Sequence, residues 1–176
     1  MKYIASWSGG KDSTASIILA HEYNEPLDLI IFSEVMFDEN ISGELPEHMD
    51  FIYRAILIFE DWGYEVKILH AKSNYMDLFM RMPSKGKRVG TGMRTGFPMS
   101  GKCQINRDVK IKPIKKFLSE VKEEIMQYVG IAIDEPSRLE RVFREKNQMS
   151  LLQKYEYTER MAYDLCKKIW TTITDL

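Results

Sequence analysis

The stretch Ser8-Gly9-Gly10-Lys11-Asp12-Ser13-Thr14, directly after the apolar residues 1–7, constrains this chain more than any other. An apolar run that breaks at paired glycines and resumes with Asp, Ser and Thr predicts a strand, a tight turn and the start of a helix. Glycine lets the backbone take positive φ and come close to a bound group. The amides of residues 9–14 then point out of a helix N-terminus, whose dipole favours an anion by roughly 0.3–1 kcal/mol. Ser8, Ser13 and Thr14 add hydroxyl donors, and Lys11 adds a positive charge. Asp12 suits such a site only as a helix cap or as a ligand to Mg²⁺. The loop is neither G-x-x-x-x-G-K-[ST] nor G-x-G-x-x-G, since Asp12 follows Gly10-Lys11 and no glycine stands five residues before Gly10. A plain tight turn capped by Ser or Asp is the alternative reading.

Four short apolar runs, residues 2–7, 27–32, 65–70 and 125–131, read as buried strands. Between them Ala15, Ile18, Leu19 and Tyr23 recur at helical spacing, as do Phe51, Ile52, Ala55, Ile56 and Phe59, with Gly63 placed to end that helix. Strands alternating with helices predict an α/β fold, a Rossmann-like doubly wound and mostly parallel sheet. Residues 1–151 are expected to form this domain. The last 25 residues, 152–176, are expected to form one amphipathic helix around Tyr155, Met161, Leu165 and Ile169.

Residues 82–102 break the rhythm with five glycines, five lysines or arginines and no acid. This composition predicts a mobile surface loop, either a solvated linker or a basic lid that grips phosphate or sulfate. The whole chain has 176 residues, 44% apolar and 29% charged, with a net charge of −1. Those values fit a soluble globular protein and argue against a chain built throughout as a polyelectrolyte. Two cysteines, Cys103 and Cys166, give neither a disulfide framework nor metal-ligand spacing. Apolar runs shorter than a membrane span, and an N-terminus without a signal-peptide pattern, lead to the expectation of a cytoplasmic protein with no membrane partner. The eleven methionines read as core filler.

The SGGKDST loop resembles the PP-loop of the adenine-nucleotide alpha-hydrolase superfamily, which includes ATP pyrophosphatases, tRNA-thiolating enzymes and phosphoadenosine phosphosulfate reductases. Two further stretches resemble the reductase branch. Residues 102–114, KCQINRDVKIKPI, are similar to W-C-T-R-x-L-K-I-x-P-L, and residues 128–138, YVGIAIDEPSR, to V-G-I-R-x-x-E-S-x-x-R. The resemblance implies phosphate binding by Ser8, Gly9, Gly10, Lys11, Asp12, Ser13 and Thr14. It implies adenosine near Phe32, Ser33 and Glu34 at the end of the second strand, where ligands of open sheets gather. Arg107 and Lys110 match anion-contacting positions and, with Lys11, are the catalytic candidates; an exposed helix face starting at Asp108 is their bland reading. Glu135 and Arg138 match the family's paired Glu and Arg, or form a solvent-facing pair three apart on a helix. Asp38 and His48 fall where relatives contact nucleotide or position the next helix, with His48 read as structural. The implied ligand is phosphoadenosine phosphosulfate or ATP, the latter with Mg²⁺; no metal is assigned to protein residues.

The chain also departs from that pattern. Ala132 stands where many relatives carry arginine, and the nucleophilic E-C-G-x-H segment is missing. Cys166 sits between helical neighbours, with Lys167 and Lys168 able to lower its pKa. The nucleotide half of a reductase is therefore expected, with attack on sulfur left to an external thiol protein. The alternatives are an ATP-dependent adenylylating or thiolating enzyme acting on nucleic acid, with the basic loop on the backbone, and a catalytically degenerate nucleotide-binding subunit. Homo-oligomerisation is left open.

Overall fold

Five short strands join into one parallel sheet. The computed structural model describes residues 1–96 and 103–174. The end of the basic loop with Lys102, and the side chain of Ile169, lie outside the described residues. The order in the chain is β1 (Lys2–Trp7), α1 (Lys11–Glu22), β2 (Leu29–Glu34), α2 (Pro46–Asp61), β3 (Glu65–His70) and α3 (Tyr75–Met80). A π-helical segment (Asn106–Ile111), α4 (Lys112–Glu120), β4 (Ile125–Val129), α5 (Pro136–Arg144), β5 (Gln148–Met149), α6 (Leu151–Lys154) and α7 (Glu159–Thr174) follow.

The strand order is β3-β2-β1-β4-β5, so β1 is central and the winding reverses there. The chain moves outward to β2 and β3 on one side, then returns to lay β4 against the other side of β1. Ile4 pairs with Leu29 and Gln127, and Ser6 with Ile31 and Val129. This is the expected Rossmann-like doubly wound α/β fold. β2 is buried at every residue, as a strand covered on both faces should be. The two-residue β5 is too short to announce itself by periodicity. It is stitched on by side chains: Gln148 Nε2 donates to Gln127 Oε1 (2.9 Å), and Gln127 Nε2 donates to Ser6 Oγ (2.6 Å).

Two compact units divide the chain, and neither is continuous in sequence. The first comprises Met1–Phe32, Glu47–Lys67 and Val121–Leu176; the second comprises Ser33–Pro46 and Ile68–Glu120. In the first unit, Trp7 is the centre of an aromatic cluster with Phe32, Phe51 and Phe59 (ring centroids 5.7, 6.4 and 5.1 Å). α1 is buried from Ser13 to Ala20, because α6 and α7 pack on it.

The single C-terminal helix expected over 152–176 is corrected to two. α6 ends at Lys154, Glu156 takes φ 58°, and α7 restarts at Glu159. The restart is capped twice: the Thr158 hydroxyl accepts from Met161 N (3.2 Å), and Asp134 Oδ1 accepts from Glu159 N (2.9 Å). Such caps contribute about 1 kcal/mol each, enough to fix a break that hydrophobic spacing alone does not reveal.

In the second unit, the described part of the basic loop is irregular, as expected, yet it is tied at its base. Arg94 Nη1 donates to Met80 O (2.9 Å), Thr95 N to Arg81 O (2.8 Å), and Gly96 N to Phe79 O (3.0 Å). The π-helical widening has a cause in Pro113, which has no N–H to give the Val109 carbonyl. The buried Ser33 hydroxyl donates to that carbonyl instead (3.4 Å).

α6 is clamped to α1's exit by Glu25, which accepts hydrogen bonds from Lys154 Nζ and Tyr155 OH. Burial works to raise the Glu25 pKa, but these two donors prevail and hold it below its ordinary 4.5. A depressed carboxylate stabilises the fold above its unfolded pKa and loses that contribution as pH falls through the lower folded value. Glu25→Gln should therefore cost about 1–2 kcal/mol near neutral pH. The deficit should shrink as the pH of urea denaturation is lowered below 4.5.

Candidate functional site

The loop after β1 and the loop after β4 leave adjacent strands at the point where the winding reverses, the place where open α/β sheets take their ligands. Both loops belong to the first unit. Gly9 has φ +73°, and a Cβ there would meet His48 Nε2 at 2.3 Å and Ile52 Cδ1 at 2.6 Å. His48 thus packs under the loop, the structural role expected of it. Gly130 approaches still more closely. Its added Cβ would fall 2.4 Å from Ser13 N and 2.5 Å from Asp12 C, so glycine alone lets β4's exit abut α1's first turn.

α1 begins without a side-chain cap. Its N-cap is Gly10 in an extended conformation, with no side-chain hydrogen bond to the helix. The first intrahelical bond runs from Thr14 N to Gly10 O (3.0 Å), which leaves the preceding amides of Lys11, Asp12 and Ser13 as the orphan donors of a helix start. The serines brace the turn. Ser13 Oγ donates to Gly10 O (3.0 Å), accepts from Ser8 N (3.1 Å), and lies 3.1 Å from Ser8 Oγ. Thr14 faces inward, where its hydroxyl accepts from the Trp7 indole N–H (2.9 Å). Its amide and hydroxyl serve the fold, and the orphan donors of the helix start are those before it.

Three helix starts bring carboxylates together at this point. Asp12 from α1, Glu135 at the N-cap of α5 and Glu159 from α7 offer oxygens within 4.8 Å of one another. Lys11 Nζ joins them, 2.8 Å from Asp12 and 3.5 Å from Glu159. Burial works against the Lys11 charge, but the Asp12 and Glu159 partners prevail and raise its pKa. The placement of acids is physical, since each sits at the N-terminal end of a helix, Glu135 as the N-cap and Asp12 and Glu159 in the first turn, where the dipole offsets negative charge. Glu135 also receives Arg138 Nη1 and, at 3.2 Å, Ala132 N. Glu135 and Arg138 are therefore an ion pair that holds α5's entry, with the Glu135 side chain mostly covered. Ala132 is fully buried; packing here leaves no room for the arginine of the family pattern. Glu159 was not among the residues singled out from the sequence, and no spacing rule links it to Asp12.

Phe32 is fully buried against Trp7 and offers no surface for a base. The second unit holds Ser33, Glu34, Arg107 and Lys110. Glu34 is 6% exposed and hydrogen-bonded to His70 Nε2 (2.8 Å). Arg107 pairs two-pronged with Asp108 (2.9 and 2.8 Å), and this pairing holds Asp108 below the usual carboxylate range. Lys110 lies 3.8 Å from Glu44. Asp38 caps its own turn, accepting from Asn40 N and Ile41 N (both 2.8 Å).

Cys166 is fully buried, its thiol donates to Lys11 O (3.2 Å), and burial with nearby Asp12 pushes its pKa up to about 12. Lys167 and Lys168 do not offset this: burial prevails and favours the protonated thiol near neutral pH. Cys103 is exposed. No helix among the described residues is long and apolar enough to cross a membrane. No family model, curated protein or solved structure matches the chain.

Native protein treated with a thiol reagent near neutral pH should titrate one cysteine, Cys103, and both after denaturation; rapid loss of both in the native state contradicts the burial of Cys166. Gly130→Ala should destabilise the fold by about 2–4 kcal/mol, because a backbone and not a side chain must yield. Thermal unfolding, with Gly63→Ala as a positive-φ control having open space around it, measures the difference.

Proposed function

We propose that this chain is an adenine-nucleotide enzyme of the PP-loop kind, related to the phosphoadenosine phosphosulfate reductases, and that it grips the nucleotide's phosphates at the start of α1. The observation that supports this most is the uncapped helix start at the reversal point of the sheet. There Lys11 and the amides of residues 11–13 converge, and Gly9 and Gly130 keep the backbone close. Fixed amide dipoles and one lysine stabilise charge on a phosphate chain without reorganising.

The carboxylates favour ATP over phosphosulfate. An anion carrying no metal meets Asp12, Glu135 and Glu159 at the loop, whereas a nucleotide carrying Mg²⁺ finds hard oxygen donors suited to that ion. These three residues would hold it, and it would supply charge neutralisation on the phosphates when bound. Lys11 stands among the same oxygens and turns from Asp12 and Glu159 toward the phosphate as the nucleotide enters. The matching reaction is nucleotidyl transfer. An acceptor oxygen forms a bond to the α-phosphorus, the bond from that phosphorus to the bridging oxygen breaks, and pyrophosphate leaves. The loop amides and Lys11 stabilise the charge on that leaving group.

The reductase reading keeps the same loop and requires a thiol other than that of the buried Cys166. Calorimetric titration separates the two. Mg·ATP should bind, with Lys11→Ala weakening it about 10-fold or more, the loss of a charge-assisted phosphate contact. Arg107→Ala should leave ATP affinity within about twofold. Tighter binding of phosphoadenosine phosphosulfate than of Mg·ATP, lost in Lys11→Ala, would put the reductase chemistry first. Failure of either nucleotide to bind would remove the reading.

A further inference from the structure

The net charge of −1 conceals a strong segregation. Residues 68–120 carry twelve lysines and arginines against three acids, a net +9. In the second unit these cations line two cavities that share Arg81 and Arg107. One, of about 400 Å³, is walled by Lys72, Lys112 and Lys116 with His70. The other, of about 350 Å³, is walled by Lys85, Lys87 and Arg88. Eight lysines and arginines thus face two confluent cavities. Asp108 is the only acid lining either among the described residues, and it is taken up by Arg107 (2.8 Å) and Arg81 (3.7 Å).

We infer that this face of the second unit is a track for the backbone of a single-stranded nucleic acid. The reading goes beyond the nucleotide site and does not rest on it. A lone phosphate or sulfate is over-matched by eight cations in two cavities, whereas a backbone presents a charge at every nucleotide and fills such a wall in sequence. Release of condensed counterions then drives association.

The choice of a single strand comes from the apolar residues interleaved with the charge. Met80 and Met82 flank Arg81, Val89 follows Arg88, and Met93 precedes Arg94; all four apolar side chains are 46–59% exposed. Exposed apolar groups between cations suit unstacked bases, which a duplex keeps inside. The loop shape serves the same end. Gly86, Gly90, Gly92 and Gly96 all take positive φ in open space, folding the segment back so that its cations share one wall. The base of that loop is closed onto Phe79, Met80 and Arg81, so the two ends of the segment are held together before any strand arrives.

The test is fluorescence anisotropy with a labelled mixed-sequence oligonucleotide, the full chain, and no added nucleotide. A strand neutralised at about six phosphates should lose about 250-fold in affinity between about 50 and 200 mM salt, a log–log slope near −4. Lys87→Ala with Arg88→Ala, and separately Lys112→Ala with Lys116→Ala, should each weaken binding about 10-fold and flatten the slope by about 1.4. Met82→Ser with Met93→Ser should weaken it about 3-fold with the slope unchanged. Lys146→Ala, on an exposed lysine of the first unit, and Lys11→Ala should bind as the parent does, which separates this outcome from the fate of the nucleotide site. Binding of the duplex as tightly as the single strand would overturn the inference. So would equal competition by polyglutamate, or an affinity that none of the charge variants moves.

Discussion

Gly130 lies so close to the backbone between Asp12 and Ser13 that a single added carbon would collide with it. Much of the first unit follows from that approach. It sets the end of β4 against the first turn of α1, and the chain after it, through Ala132 and Glu135, can turn into α5 only from that position. Asp134 then caps α7. Three helix starts consequently face one small volume, and their dipoles make it a place where both phosphate oxygens and carboxylates are tolerated. Lys11 is set against Asp12 and Glu159, and Arg138 against Glu135.

The two units divide the chemistry. The first has the uncapped helix start, the carboxylates and Lys11; the second has the cations that the sequence gathers into residues 68–120. Arg107 and Lys110, the anion-contacting pair expected from the family pattern, carry their own acids, Asp108 and Glu44. A ligand that recruits them must displace those partners. The lysines of the two cavities instead outnumber the acids, and they are the stronger electrostatic feature of that unit.

Much of the fold was legible in the sequence for a simple reason. Short runs rich in apolar residues between polar turns mark strands, and residues 2–7 and 65–70 are strands with those bounds. The burial expected at 65–70 is corrected: β3 lies at the sheet edge and none of its residues is buried. β5 was not legible, because two residues have no period; it is held by the Gln127–Gln148 amide contact. Nor was the break at Glu156, which is set by backbone conformation and capping while the apolar spacing runs on across it. Within the candidate site, the loop could be read because its residues are consecutive. Glu159 could not, since it enters by tertiary packing from a helix that carries no local signature of its role. Thr14 illustrates the converse: its place in the motif pointed to phosphate, while the Trp7 indole beneath it claims the hydroxyl.

If the orphan amides at the start of α1 hold phosphate oxygens, as proposed, the backbone ¹H–¹⁵N resonances of this chain will report it during titration with pyrophosphate in the presence of Mg²⁺. Gly10, Lys11, Asp12 and Ser13 should then shift together and saturate at one affinity, and Lys11→Ala should weaken that affinity. Saturating shifts confined to Arg81 and the lysines of residues 85–88, with the α1 start unmoved, would contradict it.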